Sequence, residues 1–218
     1  MFELRCDAIL FDLDGVLVDS SAAITRQWQW WAARHGIDMA AIQQIWHGRR
    51  AIDIMRTVAP HVDLIEEARL LQEGETNDTA GVVAHAGART LLQTLPSDRW
   101  AIATSGPRPV ATARLRSAAL PIPAVFVTGD DVRNGKPNPD PYLLAAKGLG
   151  IDPARCVVLE DAVAGVAAGR AAGAQVIAVT TNHTADELAE ATVVIAGVGQ
   201  LRFTVEPNPQ GDLLLFTT

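Results

Sequence analysis

The sequence predicts an α/β protein, with a doubly wound parallel sheet and a small helical domain inserted into it. Short, continuous apolar runs recur along the chain, as expected for strands that helices cover on both faces. Helical patterns separate most of these runs, which is typical of parallel strands joined by crossover helices. The stretch 21–84 interrupts the alternation, because it has helical patterns and no strand-like run.

Five apolar runs are the predicted strands of the sheet. They are 8–13, 100–104, 124–128, 156–160 and 175–180. Ligands of doubly wound folds bind at the carboxyl ends of the strands. Polar residues directly after these runs are therefore the candidates for a functional site.

Three helices are predicted between the later strands. Two of them, 109–119 and 141–149, begin with proline, which favours the first turn of a helix. The third, 162–172, is rich in alanine and is followed by Gly173, a predicted C-cap.

The inserted domain is predicted to span 19–84, so that 1–18 and 85–218 form the core domain. Its helical patterns are 24–35, 39–45, 51–58 and 64–73. The chain would cross between the two domains near 18–20 and 84–88. At the end of the chain, 201–205 and 213–216 predict a β-hairpin that covers a sheet edge.

Composition limits the class of protein and its partners. The 218 residues suffice for a sizeable core, and nearly half of them are apolar. The net charge of −7 argues against a nucleic-acid surface. We find neither a membrane span nor a secretory signal, and Cys6 and Cys156 are expected to be reduced core residues. We therefore expect a cytoplasmic monomer or weak dimer that binds neither nucleic acid nor membrane.

Two carboxylates, Asp12 and Asp14, lie where the first strand is expected to end. Side chains two apart on a strand point to the same side, and two buried like charges repel unless a cation or proton is shared. Mg²⁺ suits such a site. Asp-x-Asp-Gly is also common in surface turns, but the residues on both sides are apolar, which a solvated turn does not require.

Three further groups follow strands or lie in loops near them. Thr104 and Ser105 precede a helix, where a hydroxyl and free N–H groups suit a phosphate oxygen; an N-cap is the ordinary alternative. Lys136, one of two lysines in the chain, lies in a loop rich in Gly and Pro. Glu160 and Asp161 follow a buried strand, which suits a metal, although acidic pairs also cap helices.

The segment 11–20 resembles the first motif of the haloacid dehalogenase-like (HAD) phosphohydrolases, and the other groups match its later motifs in order. The resemblance implies that Asp12 is the nucleophile and Asp14 the general acid and base. It implies that Thr104, Ser105 and Lys136 hold the phosphoryl group. Mg²⁺ would be bound by the three aspartates Asp12, Asp14 and Asp161, with Glu160 assisting.

The helical insert resembles the caps of sugar and polyol phosphatases of the glycerol-3-phosphatase and 2-deoxyglucose-6-phosphatase types. The expected activity is Mg²⁺-dependent hydrolysis of a small phosphorylated sugar or polyol through an aspartyl phosphate. His47 and Arg49, in a cap loop beside Gly48, are candidate substrate contacts, with a solvated loop as the alternative. The expected partner is a small phosphorylated metabolite.

Other activities are separated by single residues. Dehalogenases lack the second aspartate, and phosphonoacetaldehyde hydrolases need a cap lysine that this chain does not have. A β-phosphoglucomutase-like phosphomutase is the alternative, but Ile24 stands where that type carries histidine. A phospho-accepting signalling module similar to receiver domains, or a non-catalytic binding protein, is the alternative from another class. Receiver domains have no inserted cap, and an intact buried carboxylate pair argues against a non-catalytic protein.

Overall fold

A computed structural model describes residues 2–206 and 212–217 of the chain. In chain order the elements are β1 (Glu3–Cys6), β2 (Ala8–Phe11), β3 (Val18–Asp19), α1 (Ser21–His35), α2 (Met39–Gln43), α3 (Ala51–Val58), α4 (Leu64–Asn77), β4 (Val83–Ala84), α5 (Ala88–Thr94), β5 (Trp100–Ala103), α6 (Arg108–Ser117), β6 (Phe126–Val127), α7 (Asp140–Leu149), β7 (Cys156–Glu160), α8 (Val163–Ala171), β8 (Gln175–Val179), β9 (Val193–Ile195), β10 (Leu201–Val205) and β11 (Leu213–Thr217). Two short 3₁₀ turns, Pro153–Arg155 and Val198–Gln200, complete the set.

The centre of the protein is a six-stranded parallel sheet in the order β6-β5-β2-β7-β8-β9, flanked by helices. This confirms the predicted fold class. Strand β2 pairs with β5 on one side and β7 on the other, so that Phe11 lies beside both Ile102 and Leu159. The carboxyl ends of these three strands therefore meet at one edge of the sheet.

Both faces of the sheet are buried, as the continuous apolar runs predicted. Ile9 and Phe11 belong to one apolar cluster, whereas Leu10 belongs to the cluster on the other face. All five predicted strands are present. The sixth, β9, was not predicted, because three apolar residues are too short a run to stand out from a loop.

Helices α1 to α4 pack around an apolar cluster of their own, and the fully buried Trp31 is its largest member. The two chain crossings that join this helical segment to the sheet lie side by side. They form the antiparallel pair β3 and β4, in which Val18 lies opposite Ala84. We call helices α1 to α4 with their loops the cap.

Strands β10 and β11 pair antiparallel, which confirms the two strands of the predicted hairpin; its turn, 207–211, lies outside the described residues. The hairpin does not continue the main sheet. Strand β11 also pairs with β1, and the three strands form a separate sheet. Strand β1 was not predicted, because its pattern of alternating burial lacks the continuous apolar run of the other strands. Within 2–206 and 212–217, no helix combines the length and apolar character that a membrane crossing needs.

Candidate active site

Asp12 lies directly after β2, buried at the carboxyl edge of the sheet. Its backbone N–H donates to the carbonyl of Leu159 at 2.9 Å, which extends the pairing of β2 with β7 by one residue. The chain then turns at Gly15, which has a φ of +84°. A Cβ at Gly15 would lie 2.2 Å from a carboxylate oxygen of Asp161, so glycine is required both for the turn and for this close approach.

Lys136 is fully buried and joins two carboxylates. Its Nζ donates to Oδ1 of Asp12 at 2.5 Å and to Oε1 of Glu160 at 2.6 Å. Burial disfavours the ammonium form, but these two carboxylates hold the pKa of Lys136 above its ordinary value. The lysine is therefore a fixed positive charge beside Asp12 rather than a solvated surface residue.

The carboxylate of Glu160 accepts four hydrogen bonds. Besides Lys136, the hydroxyl of Tyr142 donates to Oε1 at 2.6 Å. The backbone N–H groups of Asp161 and Ala162 donate to Oε2 at 3.0 and 3.3 Å. The main role of this carboxylate is thus to hold Lys136 in place.

Three buried residues form an acidic group: Asp12, Glu160 and Asp161. Each has one carboxylate oxygen within 4.8 Å of one oxygen of the other two. Burial and the nearby carboxylates raise the pKa of Asp12 to about 7, against the effect of Lys136. Burial together with Glu160 and Asp12 raises the pKa of Asp161 well above its ordinary value, although Asn182 donates to it at 2.5 Å. The site carries more negative charge than its one lysine balances.

Asp14 lies outside this acidic group. Its Oδ1 accepts a hydrogen bond from the hydroxyl of Ser20 at 2.6 Å, and its Oδ2 accepts one from Nη1 of Arg114 at 2.9 Å. Asp14 lines the same cavity as Asp12. The predicted metal contact of Asp14 stays a prediction, since both of its oxygens have other partners.

Thr104 and Ser105 follow β5 and line the cavity with Asp12. Thr104 is buried, and its hydroxyl accepts a hydrogen bond from the N–H of Gly106 at 3.2 Å. The hydroxyl of Ser105 donates to the carbonyl of Gly48 in the cap at 2.7 Å. In this arrangement Ser105 contacts the cap loop, and its predicted contact with phosphate stays a prediction.

The cavity lies between the carboxyl edge of the sheet and the cap, and has a volume of about 110 Å³. Its floor includes Asp12, Asp14 and Asp161. Its wall on the cap side includes both predicted loop residues, His47 and Arg49. The structure therefore brings together around one site all nine residues that the sequence analysis singled out. They are Asp12, Asp14, His47, Arg49, Thr104, Ser105, Lys136, Glu160 and Asp161.

The two loop residues have different surroundings. The ring of His47 lies edge-on to that of His183 from the core, with 5.1 Å between centroids. Burial, with a smaller contribution from His183, lowers the pKa of His47 to about 4, so His47 is neutral at pH 7. Arg49 has no hydrogen-bond or ion-pair partner for its side chain within the described part of the chain, and its guanidinium is available to a ligand.

A model of the haloacid dehalogenase-like hydrolases matches residues 6–173, which contain every residue of this site except Asn182 and His183. The chain belongs to this family. It is 44% identical over 217 residues to hexitol phosphatase A of Escherichia coli (strain K12), covering 97% of this chain and 100% of that protein. It is also 36% identical to glycerol-1-phosphate phosphohydrolase 2 of Saccharomyces cerevisiae, covering 86% and 80%.

A crystal structure of a hydrolase from Pseudomonas syringae superposes on this HAD-family chain with a TM-score of 0.78 at 30% identity. The superposition covers 88% of this chain and 94% of that one. The likeness therefore extends over the sheet and the cap together. The family assignment does not depend on the first motif alone.

The acidic group fits a divalent cation, which HAD-family phosphatases generally use. All its donors are hard carboxylate oxygens, and the pKa values of Asp12 and Asp161 are raised by burial first and then by the neighbouring carboxylates, whose charge a cation would offset. Glu160 already accepts four hydrogen bonds, so Asp12 and Asp161 are the side chains best placed to bind directly.

Several residues near the site were not found from the sequence, among them Ser20, Glu75, Arg114, Tyr142 and Asn182. Arg114 is one of several arginines on a helix, and only its 4% exposure marks it as different. Tyr142 is the single tyrosine of the chain and follows the loop of Lys136, which is a signal that could have been used. Asn182 follows β8, and the rule that ligands bind at strand ends could have indicated it.

The absence of a side chain at Gly165 makes room for the carboxylate of Glu160. A Cβ at Gly165 would lie 1.8 Å from Oε1 of Glu160, so a methyl group there must displace the carboxylate that holds Lys136. We expect Gly165→Ala to lose about 1–3 kcal/mol of stability. Its kcat/KM should fall about a hundredfold, as a misplacement near 1 Å can produce.

Gly169→Ala is the matched control, because it lies one turn later on α8, where a Cβ would meet Val176 at 2.9 Å and no site residue. Thermal unfolding and phosphate release, measured for both variants, separate the two effects. If Gly165→Ala and Gly169→Ala lost similar amounts of stability and similar amounts of activity, Gly165 would have no specific link to the site.

Proposed function

We propose that the protein is a Mg²⁺-dependent phosphatase that hydrolyses the phosphate monoester of a small sugar or polyol. The observation that carries this proposal is the Asp12 carboxylate. It is buried at the floor of the cavity and paired with Lys136 at 2.5 Å, beside a second buried aspartate, Asp161. The sequence relatives named above are phosphatases of a hexitol phosphate and of glycerol 1-phosphate. The residues 19–84 are proposed as the cap domain.

In the first step an oxygen of Asp12 attacks phosphorus and the bond to the leaving alcohol breaks, which gives an aspartyl phosphate. Asp14, which lines the cavity with Asp12, donates a proton to the oxygen of the leaving alcohol. Lys136 and the polar groups of Thr104 offset the charge that develops on the phosphoryl oxygens. Asp12 and Asp161 would hold a Mg²⁺, whose positive charge would reduce the repulsion between the carboxylate and the phosphate.

In the second step Asp14 takes a proton from water, which attacks the same phosphorus and releases Asp12. The general acid of the first step thus becomes the general base of the second. The cap restricts water during the first step. Its loop touches the core at two points that support this role: Gly48 accepts from Ser105, and Nη1 of Arg50 donates to the carbonyl of Val132 at 3.0 Å.

The phosphomutase alternative is less favoured. Ile24, which stands where the β-phosphoglucomutase type has a histidine, lines the cavity and offers no group for acid or base chemistry. Formation of an isomerised sugar phosphate in place of free phosphate would favour the mutase.

A panel of phosphorylated hexitols, sugars, glycerol and nucleotides, with released phosphate as the readout, tests the proposed function. We expect kcat/KM to be highest for a polyol or sugar phosphate. No release from any polyol or sugar phosphate would contradict the proposal, and so would a preference for nucleotides.

Arg49 provides a test of cap specificity. Since Arg49 lines the cavity and its guanidinium has no partner among the residues that the structure describes, we expect it to bind the leaving group. Arg49→Ala should raise KM for the best sugar or polyol phosphate, and kcat/KM should fall about tenfold to a hundredfold relative to that for p-nitrophenyl phosphate.

The control is Arg56→Ala, which removes an exposed cap arginine that pairs with Asp53. Equal losses on both substrates would place Arg49 at the shared phosphate site. No loss on either would favour a solvated loop.

A further inference from the structure

The cap and the core are joined inside the cavity by one buried arginine. Arg114 belongs to α6 of the core and is 4% exposed. Its Nη1 donates to Oδ2 of Asp14 at 2.9 Å, and its Nη2 donates to Oε1 of Glu75, on α4 of the cap, at 3.0 Å. A single guanidinium thus holds the proposed acid and base together with a carboxylate of the cap.

Glu75 has a free hydrogen-bond acceptor at the cavity. Among the described residues, only its Oε1 has a hydrogen-bond partner. Its Oε2 has none and is not fully buried. The residue lines the cavity and is 8% exposed, so the exposed part of its carboxylate faces that space. A carboxylate kept in this position accepts hydrogen bonds and cannot donate them while it is ionised.

Arg114 maintains the charge and the orientation of this carboxylate. Burial raises the pKa of Glu75, and the guanidinium of Arg114 works in the opposite direction. Asp14 and Glu75 share that guanidinium and line the same cavity, so a leaving alcohol that reaches Asp14 lies in the space that Glu75 also borders. Ile24, Trp28 and Ile54 line the same cavity and offer contact to carbon atoms.

We propose that Glu75, oriented by Arg114, accepts a hydrogen bond from a hydroxyl group of the leaving alcohol and thereby selects polyol and sugar phosphates over plain alkyl phosphates. The inference rests on the proposed function and names the residue that recognises the substrate class. A substrate without that hydroxyl leaves a buried charged acceptor unpaired, which is the condition under which a binding site discriminates most strongly.

The test is a cycle of enzyme variants and substrate analogues. The substrates are the best polyol phosphate of the panel and its analogues that each lack one hydroxyl. In the unmodified enzyme, removal of the hydroxyl that contacts Glu75 should lower kcat/KM about tenfold to a hundredfold. In Glu75→Met the same removal should change kcat/KM less than about threefold, because no acceptor remains.

Glu75→Gln keeps the shape and one neutral acceptor, so it should keep part of the discrimination and serves if the methionine variant does not fold. Glu73→Gln is the control, since Glu73 lies on the same helix and pairs with the exposed Arg69. It should show the full discrimination.

An undiminished effect of every hydroxyl in both Glu75 variants would overturn this inference and leave the phosphatase intact. If the unmodified enzyme released no phosphate from any polyol or sugar phosphate, the proposed function itself would fail. A loss of activity in the Glu75 variants that is equal for every analogue would assign Glu75 a structural role only, and would also overturn the inference.

Discussion

Asp12→Asn is expected to abolish turnover, with kcat falling at least about a thousandfold. An amide has nearly the shape of the carboxylate but is a poor nucleophile, so no aspartyl phosphate forms. The fold should persist, because Lys136 keeps its second partner, Glu160, at 2.6 Å. Removal of a buried carboxyl whose pKa is raised to about 7 should leave the melting temperature unchanged or higher.

Two readouts check this expectation: phosphate release, and fluorine NMR of the protein with beryllium fluoride, which imitates a phosphoryl group on aspartate. The unmodified enzyme should give a bound fluoride signal and Asp12→Asn should give none. Asp98→Asn, a change of the same type at an exposed position, is the control and should behave as the unmodified enzyme. Turnover by Asp12→Asn near that of the unmodified enzyme would rule out Asp12 as the nucleophile.

Removal of divalent metal is expected to cause the second largest loss of activity. Without a cation, the buried carboxylates carry more negative charge than Lys136 balances, and a phosphate dianion would add further negative charge to the same site. We expect activity to fall at least about a hundredfold after exhaustive chelation and to return when Mg²⁺ is added.

Asp161→Asn connects this effect to the acidic group. It should raise the Mg²⁺ concentration needed for half of maximal activity about tenfold or more, since it removes one charged ligand. Asp98→Asn again provides the control. Full activity after chelation, or an unchanged Mg²⁺ requirement in Asp161→Asn, would show that the acidic group does not hold a catalytic cation.

The sequence predicted those parts of the site that depend on position along a strand. Strands of continuous apolar residues lead directly to Asp12 and Thr104, and a third ends at Glu160. The parallel register brings these strand ends together. Lys136 was indicated by the rarity of lysine in this chain. The resemblance to HAD phosphohydrolases then supplied the roles that spacing alone does not give.

What the sequence did not predict depends on contacts between distant segments. Arg114 lies 100 residues from Asp14 and 39 from Glu75. Its helix has several arginines and no pattern that marks the buried one. Glu75 is one of four glutamates on α4, and its position facing the cavity depends on the packing of α4 against α6. Likewise Ser105 was predicted to contact phosphate, whereas in the structure its hydroxyl donates to the carbonyl of Gly48 in the cap. The sequence gives no sign of this contact between distant segments.

An acid quench of Asp14→Asn during turnover of p-nitrophenyl phosphate tests most directly whether Asp12 carries the phosphoryl group. This substrate has a good leaving group, so the first step does not need the acid, whereas hydrolysis of the intermediate lacks its base. Mass spectrometry of the digested protein should find one phosphoryl group on the peptide that contains Asp12, at close to one per enzyme. Phosphate release with no modified peptide at any time, or a phosphoryl group on another residue, would contradict the proposed mechanism.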